Sequence, residues 1–288
     1  MPEIDLHTHS SASDGSLSPR ELVLKAHGIG LKAIALTDHD TTDGLPEALA
    51  TGRETGIEVI PGCELSVSSA KGSMHILGLW LPEHPERLET VLEGLRAKRH
   101  ERNRLIVEKL RRGGLNVTYQ EVLDLAGPSA VGRPHIARLM VRKNIVSNLE
   151  QAFQQFLGAK GSAYVPKEKL TPEQAISLLK EEQATTILAH PFTLNLTGTR
   201  LDLEIARLKE LGLDGMEAIY SVHSQKQTSE YLNLCRRHDL LVSAGSDFHG
   251  KEVKPNIALG TGKGGLRPSY ELVRIIKERR AALGLPTP

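Results

Sequence analysis

Thiols and aromatic rings are both scarce in this chain. Its 288 residues include two cysteines, Cys63 and Cys235, too few for a disulfide framework or a thiolate zinc site. Five tyrosines, four phenylalanines and one tryptophan cannot line an extended groove in which successive bases of single-stranded RNA stack. Neither charge sign dominates. With 36 Lys and Arg against 35 Asp and Glu, the formal net charge is +1, which excludes a broad electrostatic grip along a DNA groove. No apolar run approaches the length that spans a bilayer. Met1-Pro2-Glu3-Ile4-Asp5 lacks the basic segment and apolar core of a signal peptide, so a reducing, cytoplasmic location is expected. What the chain does have is histidine, twelve in all.

At 39% hydrophobic and 25% charged, the composition is that of an ordinary globular protein, and the length suits one large α/β unit or a domain carrying an insertion. Near-continuous apolar runs at 3–8, 33–37, 58–62, 74–80, 185–189, 215–220 and 240–244 read as strands covered on both faces. Helical patterns with clear ends lie between most of them. Ser18-Pro19-Arg20-Glu21 and Thr171-Pro172-Glu173-Gln174 each supply an N-cap, a proline in the first turn and a capping-box partner, while Gly56 and Gly212 fit helix stops.

Seven strands alternating with helices predict a β/α barrel slightly smaller than the eight-fold one. Only about a dozen residues separate the third and fourth runs, which predicts a hairpin there in place of a helical crossover. Residues 85–160 read as all-helical (85–112, 118–126, 134–143 and 147–157) and are taken as an inserted cap. The barrel would then comprise 1–84 and 161–288, with 161–170 as the return linker.

The histidines concentrate at the strand ends. His7 and His9 close the first strand, and residues two apart on a strand share a face, so both rings can reach one ion. Asp14 follows in the loop. His39 lies after the second strand, Glu64 after the third, His75 within the fourth, His190 after the fifth, and Asp247 and His249 after the seventh. In a parallel barrel such ends share one rim. A lone histidine there is more often a hydrogen-bonding residue than a ligand. Ionisable groups at six of seven strand ends have no folding purpose and are costly to bury without counter-charge, which metal ions supply. Nine candidates exceed the needs of one catalytic ion, but two or three ions sharing bridges could use them. Nitrogen and oxygen donors without thiolate suit Mn²⁺, Fe²⁺ or Zn²⁺ alike. Asp38 is expected to orient a histidine, Asp40 or Asp43 to cap the following helix, and His27, His84, His100 and His238 to be surface residues.

The segments HTHS (7–10), SDG (13–15), TDHD (37–40), PGCE (61–64), HILG (75–78), AHP (189–191) and GSDFH (245–249) resemble, in order and spacing, the PHP (polymerase and histidinol phosphatase) family. The resemblance implies a distorted (βα)7 barrel, phosphoester hydrolysis and a centre of three divalent ions, with Mn²⁺ as the first expectation and Zn²⁺ or Fe²⁺ as alternatives. On the family pattern His7 and His9 with Asp247 match one ion's ligands, and Asp14, His39 and His249 a second's. His75 and His190 match the third, and Glu64 the bridging carboxylate. The helical insertion is similar to that of stand-alone members acting on nucleoside 3′,5′-bisphosphates and short 5′-phosphorylated RNA. Gly132-Arg133-Pro134-His135-Ile136-Ala137-Arg138 matches their Arg-x-His-[FI]-Ala-Arg segment, and residues 161–166 also fit. After His190-Pro191, Phe192-Thr193-Leu194 stands in place of their Gly-Arg-Tyr.

The expected chemistry is in-line attack on phosphorus by a metal-bridging hydroxide, formed because the ions lower the pKa of bound water. Asp14, His39 and Glu64 would serve catalysis as well as ligation, and His223, following the sixth strand, is a candidate donor of the leaving-group proton. Lys98 and Arg102, four apart on a predicted helix, could clamp a 5′-phosphate, with Arg133 and His135 at a helix N-terminus as a second anion site. Against such a reading, the basic stretch 96–104 could be a solvated charged face. A base stacked on Tyr164, Tyr220 or Phe192 would favour a mononucleotide or terminal nucleotide. The competing functions are histidinol-phosphate phosphatase and a non-catalytic, metal-stabilised accessory module. An amidohydrolase is disfavoured because no strand-end lysine could bridge two metals.

Overall fold

Seven strands lie side by side in the order in which they occur in the chain: β1 (Ile4–Thr8), β2 (Ala33–Leu36), β3 (Glu58–Val67), β4 (Met74–Leu79), β5 (Thr185–Leu188), β6 (Gly215–Tyr220) and β7 (Leu241–Gly245). Neighbours pair in parallel except β4, which runs antiparallel to both β3 and β5. The last strand returns to the first. Beyond β7, the Asp247 N–H donates to the His7 carbonyl and the His9 N–H to the Phe248 carbonyl, each at 2.9 Å, and a parallel bridge joins Thr8 to Phe248. The sheet is a nearly closed barrel of mixed direction. This computed structural model describes residues 1–126 and 131–287.

The helices are α1 (Pro19–Gly28), α2 (Leu45–Thr55), α3 (Glu86–Arg112), α4 (Tyr119–Ala126), α5 (Arg133–Arg142), α6 (Leu149–Ala152), α7 (Pro172–Glu181), α8 (Gly198–Glu210), α9 (Gln225–Arg237) and α10 (Glu271–Ala282). Capping boxes start α1 at Ser18 and α7 at Thr171, and Gly56 stops α2 in the left-handed conformation. Residues 147–157, expected as one helix, form α6 and then a π-helical turn, Phe153–Leu157. Among the described residues no helix is long and apolar enough to cross a membrane.

β3 runs past its expected end at residue 62. The antiparallel hairpin keeps its register from Gly62–Leu79 to Val67–Met74, so Glu64 sits inside a strand and not at its terminus. Because β4 is reversed, its entry, carrying His75, lies at the rim where the parallel strands have their exits.

The chain divides into two compact units, Met1–Glu89 with Leu170–Pro288, and Thr90–Lys169. These bounds differ from 85–160 for physical reasons. The first turn of α3 is tied to the barrel unit, where Thr42 donates to Glu89 and the Leu88 N–H to Glu182. Residues after 160 belong with the helices, since Ala163 is buried in their core and Lys109 donates to the Tyr164 carbonyl. The helical core is apolar, with Ile106, Val117, Val122, Ile136, Ala137, Met140 and Leu157 at its centre. In the barrel unit Ile4 and Leu6 of β1 join an apolar cluster with Ile60, Leu79, Ile187 and Ile276, while the alternating Asp5 and His7 are buried with polar partners.

Candidate metal centre

Strand alternation explains the start of the site. His7 and His9 project to the same side of β1 and its extension, and both rings are fully buried. His39 follows β2, His190 follows β5, and Asp247 and His249 follow β7, while Glu64 and His75 face each other across the hairpin. The fold brings all nine sequence candidates together. They form four overlapping groups whose ligating atoms lie within 4.8 Å of one another: His9, Asp14, His39 and His249; His7, Glu64 and His190; His7, His9 and Asp247; His39, Glu64 and His75.

Glu64 is the hub. Its Oε2 lies 3.1 Å from His7 Nε2, His9 Nε2 and His39 Nδ1, and its Oε1 lies 2.8 Å from His75 Nδ1 and 3.0 Å from His190 Nε2. Asp247 Oδ1 faces His9 Nε2 at 3.4 Å, His249 Nδ1 at 3.3 Å and His7 Nε2 at 3.7 Å. Asp14 Oδ1 stands 3.2 Å from His249 Nε2 and 3.7 Å from His9 Nδ1.

These distances fit cations better than hydrogen bonds. His7 Nδ1 lies 3.0 Å from Glu217 and its Nε2 3.1 Å from Glu64, yet a neutral imidazole has one N–H to share between them, so in that state one nitrogen's lone pair is aimed at carboxylate lone pairs. Two lone pairs held that close repel unless a positive charge lies between them. Both ring nitrogens of His9 and Nδ1 of His39 are buried with no hydrogen-bond partner. A buried set of nitrogen and oxygen donors with unpartnered ring nitrogens suits divalent metal ions.

The titration behaviour shows the same frustration. Burial opposes charge on His9, yet Asp247 and Glu64 raise its pKa to about 9, whereas burial pushes His39 down to about 3. Burial also opposes ionisation of Glu64 and Asp247, but the surrounding imidazoles hold both carboxyls well below the usual range.

One side of the cluster is open. The side chains of His39, His75 and Asp14 are 25%, 21% and 53% exposed, while those of His7, His9 and Glu64 are buried. An incoming anion meets that side first.

Several residues to which the sequence assigned no part in the metal centre support the cluster. Glu217, buried in the middle of β6, accepts from His7 and from the His190 N–H. Tyr220 and Lys254 donate to Asp247 Oδ2 at 2.7 and 2.6 Å, which leaves Oδ1 for the ligand side. An acid in the middle of an otherwise apolar barrel strand was the readable signal for Glu217.

Other expectations change. Asp38 orients no histidine; it accepts from the Ser10 backbone and from the Ser10 and Ser13 hydroxyls, bracing the loop between His9 and Asp14. Asp40 ties to Ser66, and neither it nor Asp43 caps α2, whose N-cap is Gly44 without a side-chain bond. His100 and His238 are half-buried, bonded to Tyr119 and Asp202, so only His27 and His84 are surface residues. His223 donates from Nδ1 to the Ala218 carbonyl, and burial lowers its pKa. Its ring packs on Tyr220, Phe192 and Tyr231, with Nε2 buried and unpartnered.

The four residues expected to bind phosphate lie in the helical unit. Arg102 is buried beside Asn103, and its Nε has no partner. Burial, together with the charges of Arg133 and Arg99, lowers its pKa to about 10. Arg133 donates to the Leu157 carbonyl and sits against the rings of Phe153 and Tyr164. His135 accepts the Gly132 N–H through Nδ1. Lys98 is set apart from this group by its ion pair with Glu168 at 2.6 Å.

Comparison with known proteins adds the family. Residues 5–165 match the model of the PHP domain. A 5′-3′ exoribonuclease of Haemophilus influenzae is 38% identical over 85% of this chain and 89% of that protein. A 3′,5′-nucleoside bisphosphate phosphatase of Chromobacterium violaceum is 31% identical over 86% and 88%. A Bifidobacterium adolescentis crystal structure described as a metal-dependent phosphoesterase superposes with a TM-score of 0.80 at 31% identity, covering 96% of each chain. With more than half its length matched by the family model, and histidines and acids gathered as a metal-dependent phosphoesterase requires, the chain belongs to the PHP-domain phosphoesterase family.

Proposed function

We propose that this protein removes the 3′-phosphate from nucleoside 3′,5′-bisphosphates and, with the same chemistry, trims short 5′-phosphorylated RNA from its 5′ end. The observation that carries the reading is the convergence of five imidazoles on the single buried carboxylate of Glu64. Support comes from relatives named as an exoribonuclease and as a bisphosphate phosphatase over most of their length. We take His7, His9, Asp14, His39, Glu64, His75, His190, Asp247 and His249 as ligands of three divalent ions, with Mn²⁺ first and Zn²⁺ or Fe²⁺ as alternatives. When bound, such ions make water nucleophilic near neutral pH and neutralise charge that develops on the phosphoryl and leaving oxygens.

The chain's own groups do the rest. Glu64 and Asp247 supply the buried negative charge that holds the centre together, while Asp14 and His39 line the open side where the scissile phosphate enters. Tyr220, whose pKa burial and Asp247 push upward, keeps its proton and holds Asp247 Oδ2. Arg102 and Arg133, with His135, are the proposed recognition groups for a substrate phosphate, because two crowded guanidiniums and an unpartnered buried Nε call for an anion. Lys98 would join them only by leaving Glu168. Free, buried Cys63 and Cys235 accord with a reducing, cytoplasmic setting.

The test gives metal-loaded protein adenosine 3′,5′-bisphosphate, a 5′-phosphorylated RNA pentamer and histidinol phosphate in parallel. AMP and inorganic phosphate are expected from the first, and turnover that disappears with chelation. R102M and R133M should raise KM by roughly tenfold or more with little change in metal content. Robust histidinol-phosphate turnover without bisphosphate activity, or a metal-replete protein inert on all three, would overturn the reading.

A further inference from the structure

Glu217 is a fully buried acid whose hydrogen bonds run to two proposed ligands on different strands. One carboxylate oxygen accepts from the His7 ring and the other from the His190 backbone N–H, at 3.0 and 2.7 Å. The first bond decides which His7 nitrogen is bare. With Nδ1 turned to the Glu217 oxygen at 3.0 Å, Nε2 is the nitrogen left to face Glu64 and Asp247.

The second bond addresses a backbone problem. His190 has φ +27°, a conformation that side-chain-bearing residues avoid, and Pro191 restricts it further. Anchoring its N–H fixes the peptide from which the ring reaches Glu64 Oε1 at 3.0 Å. The opposite wall is cut to fit. A Cβ on Gly245 of β7 would come within 2.3 Å of His7 Cβ and 2.8 Å of Glu217 Oε1, so glycine there is what lets β7 pass behind this pair.

We infer that Glu217 is the positioning residue of the metal centre, setting the tautomer of His7 and the peptide of His190 so that both rings present Nε2 to the ions. The inference rests on the metal-centre reading above. It is selective: His7 and His190 belong to the groups that include Glu64 and Asp247, and neither belongs to the group of His9, Asp14, His39 and His249. In Glu217→Gln the amide can donate as well as accept, so it no longer dictates the tautomer and cannot accept from both partners with equal strength.

The experiment counts ions retained by full-length wild type and E217Q after equilibration with graded chelator, and records thermal unfolding of both in the metal-free state. E217Q should hold part of the wild-type complement at least ~10-fold more weakly while keeping the rest, with a metal-free midpoint near that of wild type. A merely structural role would lower the metal-free midpoint and weaken every ion alike. As a reading independent of any variant, ¹⁵N spectra of Zn²⁺-loaded wild type should show His7 as the Nδ1–H tautomer. Full retention of ions at wild-type affinity in E217Q, uniform weakening with a lowered metal-free midpoint, or an Nε2–H tautomer in wild type overturns the inference. If E217Q does not fold, the wild-type tautomer decides. Wild type that retains no ions overturns the metal-centre reading itself.

Discussion

The two units differ in how much polar material they bury. Inside the helical unit Ile106, Val117, Ile136 and Met140 pack as hydrocarbon, and Arg102 and Asn103 are the buried polar side chains among its described residues. The barrel unit buries Asp5, His7, His9, Glu64, Glu217 and Asp247, a layer of polar groups that satisfy one another only in part. The contrast teaches which part of the molecule depends on its ions. Arg102 Nε is the helical unit's one buried side-chain atom without a partner among the described residues, whereas the barrel carries an unbalanced interior that cations balance.

Three measurements can break or sharpen that contrast. The largest effect is expected from Glu64→Ala, which removes the hub shared by five imidazoles. Phosphoester hydrolysis should fall by at least ~10³-fold with loss of bound ions, and hydrogen exchange in the helical unit should stay unchanged. Altered exchange in α5 would break the separation. Next comes Ile136→Ala, the reciprocal lesion, expected to cost about 3 kcal/mol by leaving a cavity in the helical core. Its ion content should equal that of wild type, and a variant that sheds ions would refute independence from the other side.

The smallest effect is a pH dependence in the metal-free protein. His9 has its folded pKa raised to about 9, so its contribution to stability is fully present below the unfolded value of 6.5 and is lost as pH climbs through about 9. His39 has its folded pKa lowered to about 3, so its contribution is present above 6.5 and is lost as pH falls toward 3. The unfolding midpoint should therefore peak near neutrality and decline in both directions. With ions bound, the alkaline decline should vanish, because the imidazoles already lack those protons. A metal-free midpoint that keeps rising from pH 7 to pH 10 would contradict the assignment.

Much of the centre was legible because parallel strands end on one rim, so His7, His39, His190 and Asp247 could be grouped without coordinates. The capping boxes at Ser18 and Thr171 were equally plain, since that chemistry is local. What escaped was set by tertiary neighbours. β3 reaches Val67 only because β4 offers it an antiparallel partner, and Asp38 turns to Ser10 and Ser13 only because the loop after β1 folds back over it. Glu217 escaped for another reason. The run Gly215-Met216-Glu217-Ala218 reads as an ordinary strand with one polar position, and its value lies in what β1 and β5 aim at it.

The reversed strand also leaves a practical opening. Because β4 enters at the rim, the turn before it comes up beside the open side of the cluster, anchored where the Ser73 N–H meets the Thr193 carbonyl. Ser69, Ala70 and Lys71 ahead of that anchor are exposed. A dye, spin label or surface tether grafted there would report on the chemistry from a few residues away without displacing His75.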